Sequence, residues 1–200
     1  MESPLAGAII ENEDALVDRL QSGAPDAIDE AVDAFSKPLY AFILRLVSDT
    51  AAAEDIFQET WIRVIRHIGG FRRQARFSTW LFQIALNQCR SAMQRSGRRE
   101  YVALEDAPDL AQDPDVDAES ILRAEKVRKI VDSLPPKMRE VVVLRFYNEK
   151  TEQEIAEILN CPLGTVKSRL HRAMIFLKEK MDGFNPSEYS AEVEDEEEPE

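Results

Sequence analysis

Cysteine, histidine and glycine are all scarce in this 200-residue chain, which contains two, two and seven of them. Cys89 and Cys161 lie far apart and form no CxxC pair, so we expect two free thiols and no zinc site. The sequence has no glycine-rich phosphate-binding loop, and no Ser, His and Asp residues converge by spacing. It therefore predicts neither a metal nor a cofactor, and a protein that is not an enzyme.

Long apolar runs and β-strand alternation are also missing. No segment approaches the roughly 20 apolar residues that cross a bilayer as a helix. The start, MESPLAGAIIENED, lacks the basic flank and long apolar core of a signal peptide. We therefore expect a cytoplasmic protein without membrane insertion. Apolar residues recur at helical spacing almost throughout. The predicted fold class is all-α, with two small helical domains joined by a flexible acidic linker.

Charge divides the chain into acidic and basic segments, although the net charge of −13 is the wrong sign for a nucleic-acid binder taken as one body. Residues 61–99 carry nine arginines and no acid, whereas residues 182–200 carry nine acids and no base. The predicted segments are an acidic N-terminal segment (1–24), a helical domain (25–97), an acidic linker (98–118), a second helical domain (119–181) and a disordered acidic tail (182–200).

Helix start and stop signals place the elements of the first domain. Helices are predicted over 25–36, 38–48, 51–67 and from Ser78 to about Arg95. Pro38 should break the first two helices apart, because proline lacks the N–H that an inner helical position donates. Asp49 or Thr50 can cap the third helix, whose apolar side is predicted to include Ile65, and Ser78 can cap the fourth.

The stretch 151–172 has the pattern of a helix-turn-helix. Thr151, with Glu154 three residues later, predicts a capping box at the start of the first helix. Asn160 suits the left-handed backbone of the turn, and Pro162 suits the first position of the next helix. The outer face of that second helix carries Lys167, Ser168, His171 and Arg172. Such a helix is suited to the major groove of duplex DNA.

A second basic region, 61–99, interleaves its arginines with aromatic residues. On the helix that begins near Ser78, one stripe carries Trp80, Gln83, Asn87, Arg90 and Gln94. Aromatic, amide and guanidinium groups together suit unstacked bases, because stacking on a ring contributes about 1–3 kcal/mol per base. We expect Phe82 to be a core residue, whereas the pattern fits Trp80 equally well to the core and to base contact.

Two strings carry a family resemblance. The string DIFQETWIRVIRHIGGFRRQARFSTWLFQIALNQCR resembles the second conserved region of bacterial sigma factors of the extracytoplasmic function (ECF) group, in the sigma-70 family. The string LPPKMREVVVLRFYNEKTEQEIAEILNCPLGTVKSRLHRAM resembles their fourth region. The strings follow the family's order, and the third region has no visible counterpart, as in the ECF group. The resemblance implies a subunit that directs promoter-specific transcription initiation.

The resemblance also implies roles for individual residues. Binding to the clamp helices of the β′ subunit of core RNA polymerase is implied for Asp55, Gln58, Glu59 and Trp61. Recognition and opening of the −10 element are implied for Arg72, Arg73, Arg76, Phe77, Trp80, Asn87 and Arg90. Recognition of the −35 element is implied for Thr165, Lys167, Ser168, His171 and Arg172, with Thr165 and the helix N-terminus on a phosphate. The implied partners are core RNA polymerase (its β′ clamp helices and β subunit), promoter DNA and an anti-sigma factor.

Other interpretations differ in what they explain. A free-standing helix-turn-helix regulator would account for 151–172 but not for 51–95, and an enzyme acting on nucleic acid lacks a motif. The acidic linker either mimics an RNA backbone along the polymerase channel or is simply flexible. The tail 182–200 either shields the basic faces or only solvates the chain. Cys161, expected at the N-cap of the recognition helix, serves either redox control or structure.

Overall fold

The computed structural model describes residues 12–95 and 118–181, the second range with side chains from residue 124 onward. Within these ranges the chain forms eight α-helices and no strand, which confirms the all-α fold class. The helices are α1 (Glu13–Ser22), α2 (Ala27–Val47), α3 (Thr50–His67), α4 (Phe77–Arg95), α5 (Ala118–Asp132), α6 (Pro136–Val142), α7 (Glu152–Leu159) and α8 (Leu163–Lys180). A 3₁₀ turn, Ile68–Gly70, follows α3, and a π-helical turn, Val143–Tyr147, extends α6.

Helices α1 to α4 form the first helical unit, and polar caps fix where its helices begin. The Asn12 side chain accepts a hydrogen bond from the Ala15 amide at 3.0 Å at the start of α1. Asp49 caps α3 in the same way, accepting from the Ala52 amide at 2.7 Å, as the sequence predicted. The core between α2 and α4 includes Phe42 and Phe82, whose ring centroids lie 5.1 Å apart. Phe82 is therefore the core residue that we expected.

The predicted break at Pro38 is wrong, because α2 runs without interruption from Ala27 to Val47. A proline inside a helix costs about 3 kcal/mol or more. Both halves of α2, however, bury the same apolar stripe, which includes Ala31, Leu39 and Phe42, each with no exposed surface. The burial of this shared stripe outweighs the lost hydrogen bond, so the helix continues through Pro38.

The start of α4 is held by an acid from α1 rather than by the predicted Ser78 cap. Helix α4 begins at Phe77, and the Ser78 amide donates to Glu13 Oε2 at 3.0 Å. The Ser78 hydroxyl also donates to Glu13 Oε1, at 2.9 Å. A carboxylate at a helix N-terminus satisfies free N–H groups and complements the helix dipole. The acidic N-terminal segment thus supplies a helix that holds α4 in place.

Helices α5 to α8 form the second unit, which contains the helix-turn-helix. The capping box is present: Thr151 Oγ1 accepts from the Glu154 amide at 3.2 Å, and the Thr151 amide donates to Glu154 Oε2 at 2.9 Å. Asn160 ends α7 in the left-handed conformation, with φ of 49°. Pro162 precedes α8 as its N-cap residue, one position earlier than predicted. Accordingly, Cys161 is not at the N-cap.

The two units pack against each other, which the sequence did not predict. One apolar cluster runs from α1–α4 into the second unit, where its members include Val141, Val143, Leu144, Ile155, Leu159 and Val166. A smaller cluster lies within the second unit alone and consists of Val131, Leu134, Val142, Ala173 and Leu177. The predictions for the tail 182–200, and for all of the linker except Ala118, fall outside the described residues.

Candidate nucleic-acid interface

The outward face of α3 combines acidic, amide and aliphatic side chains. Asp55 and Gln58 are exposed, and Glu59 is half-buried, with its carboxylate 2.7 Å from Arg63 Nε. Further along the helix, Ile62 and Ile65 are 41% and 57% exposed. Ile65, which was predicted on the apolar side of this helix, is therefore a surface residue. Ile62 and Ile65 thus add exposed apolar area to the helix face that carries Asp55, Gln58 and Glu59.

Trp61 does not share this outward face. Its side chain is buried and lies edge-on to Phe57, with ring centroids 6.4 Å apart. Trp61 is therefore a core residue beneath the surface formed by its neighbours on α3, although the resemblance implied a polymerase-binding role for it.

The arginines of the loop between α3 and α4 are paired with acids. Arg72 is exposed, whereas Arg73 forms an ion pair with Asp18 of α1. Arg76 Nη2 lies 2.7 Å from Glu13 Oε1, and its other terminal nitrogen lies 3.9 Å from Glu154 of α7. Of the three loop arginines for which the resemblance implies −10 recognition, two are therefore held by carboxylates of this chain.

The aromatic residues at the start of α4 differ in how far they are buried. Phe77 is 1% exposed and packs against Phe35, with ring centroids 5.6 Å apart. It is a core residue in this structure, although the resemblance implied a role for it in recognising and opening the −10 element. Trp80 is half-buried and stacks on Phe71 at 4.9 Å. One ring face of Trp80 is thus covered by the ring of Phe71.

The polar stripe of α4 faces the second unit along part of its length. Gln83 Nε2 donates to the main-chain oxygen of Glu157 on α7, at 2.8 Å. Arg90 forms a bidentate ion pair with Glu140 of α6, with Nε–Oε1 and Nη2–Oε2 distances of 2.8 and 2.7 Å. The hydrogen bond to Glu140 raises the pKa of Arg90. Asn87, between them in sequence, is exposed.

The recognition helix α8 presents its predicted residues to solvent. Lys167, Ser168, His171 and Arg172 are all exposed. Two of them bond back along the helix: Ser168 Oγ donates to the Thr165 carbonyl at 3.0 Å, and Arg172 Nε donates to the Ser168 carbonyl at 3.1 Å. The structure thus brings the four residues onto one accessible basic face.

Thr165 lies at the edge of this face. It is half-buried, and its amide donates to the Pro162 carbonyl at 2.8 Å. That hydrogen bond closes the first turn of α8. The Thr165 amide is therefore engaged within the helix, and its hydroxyl is the group left for the predicted phosphate contact.

The thiols and the acids of residues 12–95 and 124–181 do not cluster. No group of three or more His, Cys, Asp or Glu residues in this part of the chain has the proximity that a metal ion requires. Cys89 is fully buried, and burial raises the pKa of its thiol to about 12. Cys161 is half-buried. Both thiols are free, and the one on α4 is held in its unreactive protonated form.

Family models match both units of the chain. Residues 31–99 match the model for sigma-70 region 2, and residues 124–177 match the model for sigma-70 region 4. The matched ranges contain α3, α4 and the helix-turn-helix. In the parts of the chain that the structure describes, no helix combines the length and the apolar character needed to cross a bilayer.

Curated relatives resemble the chain over most of its length. The RNA polymerase sigma-H factor of Pseudomonas aeruginosa is 33% identical over 174 residues, which cover 82% of this chain and 90% of the relative. The ECF RNA polymerase sigma-E factor of Haemophilus influenzae is 32% identical over 178 residues, covering 84% of this chain and 94% of the relative.

A solved structure also resembles the chain. It is the co-crystal structure of the sigma factor RpoE in complex with the anti-sigma factor NepR from Bartonella quintana. It matches with a TM-score of 0.66 and 26% identity, covering 80% of this chain and 99% of the other. The shared fold therefore extends over both helical units.

Proposed function

We propose a division of labour among the helices α3, α4 and α8, on the premise that this chain belongs to the ECF group of the sigma-70 family of RNA polymerase sigma factors. As a sigma factor, the protein binds core RNA polymerase and directs promoter-specific initiation. The family consists of DNA-binding initiation factors, so the polymerase supplies the chemistry. The free-standing regulator is not favoured, because region 2 would then have no role.

The outward face of α3 is our candidate for the polymerase-binding surface. Asp55, Gln58 and Glu59 offer acceptors to a basic partner helix, and the exposed Ile62 and Ile65 offer apolar area. Protein interfaces combine an apolar centre with a polar rim, and this face has both. We include the two isoleucines in the surface in place of Trp61, which is buried.

The −10 element is assigned to the stripe of α4 and the preceding loop. Arg72 and Asn87 are exposed, and Trp80 is braced by Phe71, so these residues suit phosphate, base-edge and stacking contacts. Arg73, Arg76 and Arg90 join them once their carboxylate partners are displaced. The energy of those contacts offsets the cost of unstacking a base, which is a few kcal/mol.

The −35 element is assigned to α8, and the exposed basic face of this helix is the observation that carries the proposal. Lys167, Ser168, His171 and Arg172 lie on a helix whose opposite side is fixed by buried apolar residues. A side chain in this position that bonds a base edge contributes about 1–3 kcal/mol of discrimination.

Regulation and location follow from the same family. A relative of known structure is bound by an anti-sigma factor, and we propose that this chain has such a partner as well. The protein would act in the cytoplasm, where core polymerase and promoter DNA are found. We expect no catalytic activity of its own.

The proposal is tested by mixing the full chain with core RNA polymerase that lacks any sigma factor and measuring co-elution. The wild type should co-elute, and an Asp55→Ala/Gln58→Ala variant should lose most of the complex. Asp33→Ala, which removes one exposed acid from α2, is the control for charge and should bind like the wild type. If the wild type does not co-elute, or if the control fails equally, the proposal is wrong.

A further inference from the structure

Helix α1 holds the start of the loop that precedes α4. Residues 71–76, between the 3₁₀ turn and α4, form what we call the −10 loop. The side-chain amide of Gln21 donates two hydrogen bonds, to the Ile68 carbonyl at 3.0 Å and to the Phe71 carbonyl at 2.9 Å. The Phe71 ring in turn stacks on Trp80. A DNA phosphate cannot replace Gln21 here, because phosphate oxygens accept hydrogen bonds and have none to donate to a carbonyl.

Glu13 of α1 holds the end of the −10 loop. Its carboxylate accepts hydrogen bonds from the Ser78 amide at 3.0 Å and from the Ser78 hydroxyl at 2.9 Å, and it lies 2.7 Å from Arg76 Nη2. The Glu13 side chain is only 11% exposed, so these contacts are shielded from solvent. Glu13 remains bonded to Ser78 when Arg76 turns to a DNA phosphate. The first turn of α4 is therefore held independently of what that arginine binds.

The middle of the −10 loop has a backbone conformation that requires support. Arg73 is left-handed, with φ of 54°. This conformation is disfavoured for a residue with a Cβ atom, and it persists where the surrounding structure holds it. Arg73 pairs with Asp18 of α1, but Asp18 is exposed, and an exposed ion pair adds little stability. The conformation at Arg73 therefore depends on the two loop ends, which Gln21 and Glu13 fix.

Helix α1 is itself fixed to the first unit. Its inner face buries Leu16 and Val17, each 1% exposed, and Leu20, which is 9% exposed. On its outer side, Arg19 Nη2 lies 2.7 Å from Asp26 at the start of α2. A helix that is anchored in the core can transmit this fixed position to the loop that it contacts. The support for the −10 loop is thus as firm as the core of the first unit.

We infer that Glu13 and Gln21 are positioning residues for base discrimination at the −10 element. This inference rests on the proposed function of α4 and its preceding loop. Neither residue contacts a base; together they hold the −10 loop and the first turn of α4 in one conformation before DNA arrives. A recognition site whose supporting residues hold it in place rejects a wrong base, because the site does not rearrange to accommodate that base.

The test measures discrimination by holoenzyme reconstituted from the full chain and core RNA polymerase. The wild-type holoenzyme first selects an active promoter from a library of random sequence. Run-off transcription is then compared on three templates: the selected promoter, the same promoter with a base change in the −10 element, and the same promoter with a base change in the −35 element. The proteins are the wild type, Glu13→Ala, Gln21→Ala and Asp14→Ala. Asp14 is an exposed acid beside Glu13 in the first turn of α1, so its substitution is the matched control for charge.

We expect Glu13→Ala and Gln21→Ala to reduce the discrimination at the −10 element about fivefold to tenfold, which is the factor that the loss of a strong hydrogen bond produces. Their discrimination at the −35 element should match the wild type, and Asp14→Ala should match it at both elements. A merely structural role would lower transcription from all three templates in proportion and leave both ratios unchanged. Unchanged ratios, or an equal loss of discrimination at both elements, would overturn the inference.

Gln21→Ala decides the matter if Glu13→Ala loses its helical circular dichroism. Gln21 is exposed near the end of α1, so its substitution leaves the buried face of the helix intact. Reduced discrimination at the −10 element alone would then support the inference, and wild-type discrimination would overturn it.

A further variant, Asn87→Ala, separates this inference from the proposed function. Asn87 is exposed on α4 and is proposed to contact a base edge directly. If the proposed function of α4 is wrong, Asn87→Ala keeps full discrimination at the −10 element. If only the present inference is wrong, Asn87→Ala loses that discrimination while Glu13→Ala and Gln21→Ala keep it.

Discussion

Helices α4 and α8 both carry a polar stripe suited to nucleic acid; the four predicted residues of α8 are all exposed, whereas on α4 only Asn87 and Gln94 are. On α8, Lys167 and His171 are exposed, whereas on α4, Gln83 and Arg90 bond to the second unit. The residue pattern of a helix fixes which side chains share a face. It does not determine what covers that face, because a protein carboxylate and a DNA phosphate satisfy the same arginine.

The largest expected effect is on stability, and it distinguishes a core residue of α4, Phe77, from a residue of its polar stripe, Trp80. Phe77→Ala should lower the free energy of unfolding by about 3–5 kcal/mol, because the ring is fully buried against Phe35 and its loss leaves a cavity. Urea denaturation measures this change. Trp80→Ala, at a half-buried position, should cost clearly less. An unchanged stability for Phe77→Ala, together with weaker binding of single strands, would return Phe77 to the nucleic-acid surface.

A smaller effect is expected on α8, where the predicted residues are free of the core. Lys167→Ala and Arg172→Ala should each weaken binding to the −35 element by about 1–3 kcal/mol. Transcription from −35-dependent promoters should fall accordingly. Run-off transcription with reconstituted holoenzyme measures the loss. Neither variant should change stability or co-elution with core polymerase, because both side chains are exposed. Lys178→Ala, further along the same helix, is the control, and an equal loss there would contradict base recognition by this face.

The smallest effect concerns the two thiols, one on α4 and the other just before α8. Cys89 on α4 should resist iodoacetamide at pH 8, because burial raises its thiol pKa to about 12 and only the thiolate reacts. Cys161, which is half-buried just before α8, should be alkylated first. Peptide mass spectrometry distinguishes the two sites. Equal alkylation of both in the folded protein would show that α4 is not packed as described.

Local signals predicted the second unit well. The capping box of Thr151 and Glu154, the left-handed Asn160 and the outer face of α8 all depend on residues close together in sequence. Such contacts are set by backbone preferences and by short-range hydrogen bonds. The family resemblance also rests on local strings of sequence, and the matches to both sigma-70 regions confirmed it.

Contacts between distant residues were not predictable in this way. Glu13 lies 65 residues from the Ser78 that it caps, and Glu140 lies 50 residues from Arg90. The prediction at Pro38 failed because it considered the lost hydrogen bond and not the stripe that α2 buries on both sides. Tertiary burial overrode local propensity there, and it also placed Trp61 and Phe77 in the core.

The difference between α4 and α8 is tested most directly by the rates at which butanedione modifies Arg90 and Arg172 in the free protein, followed by mass spectrometry. Arg172 should react clearly faster, since two of the Arg90 nitrogens are bound by Glu140, and Glu140→Gln should remove most of the difference. Equal rates in the wild-type protein would contradict the account, because α4 would then be as open as α8.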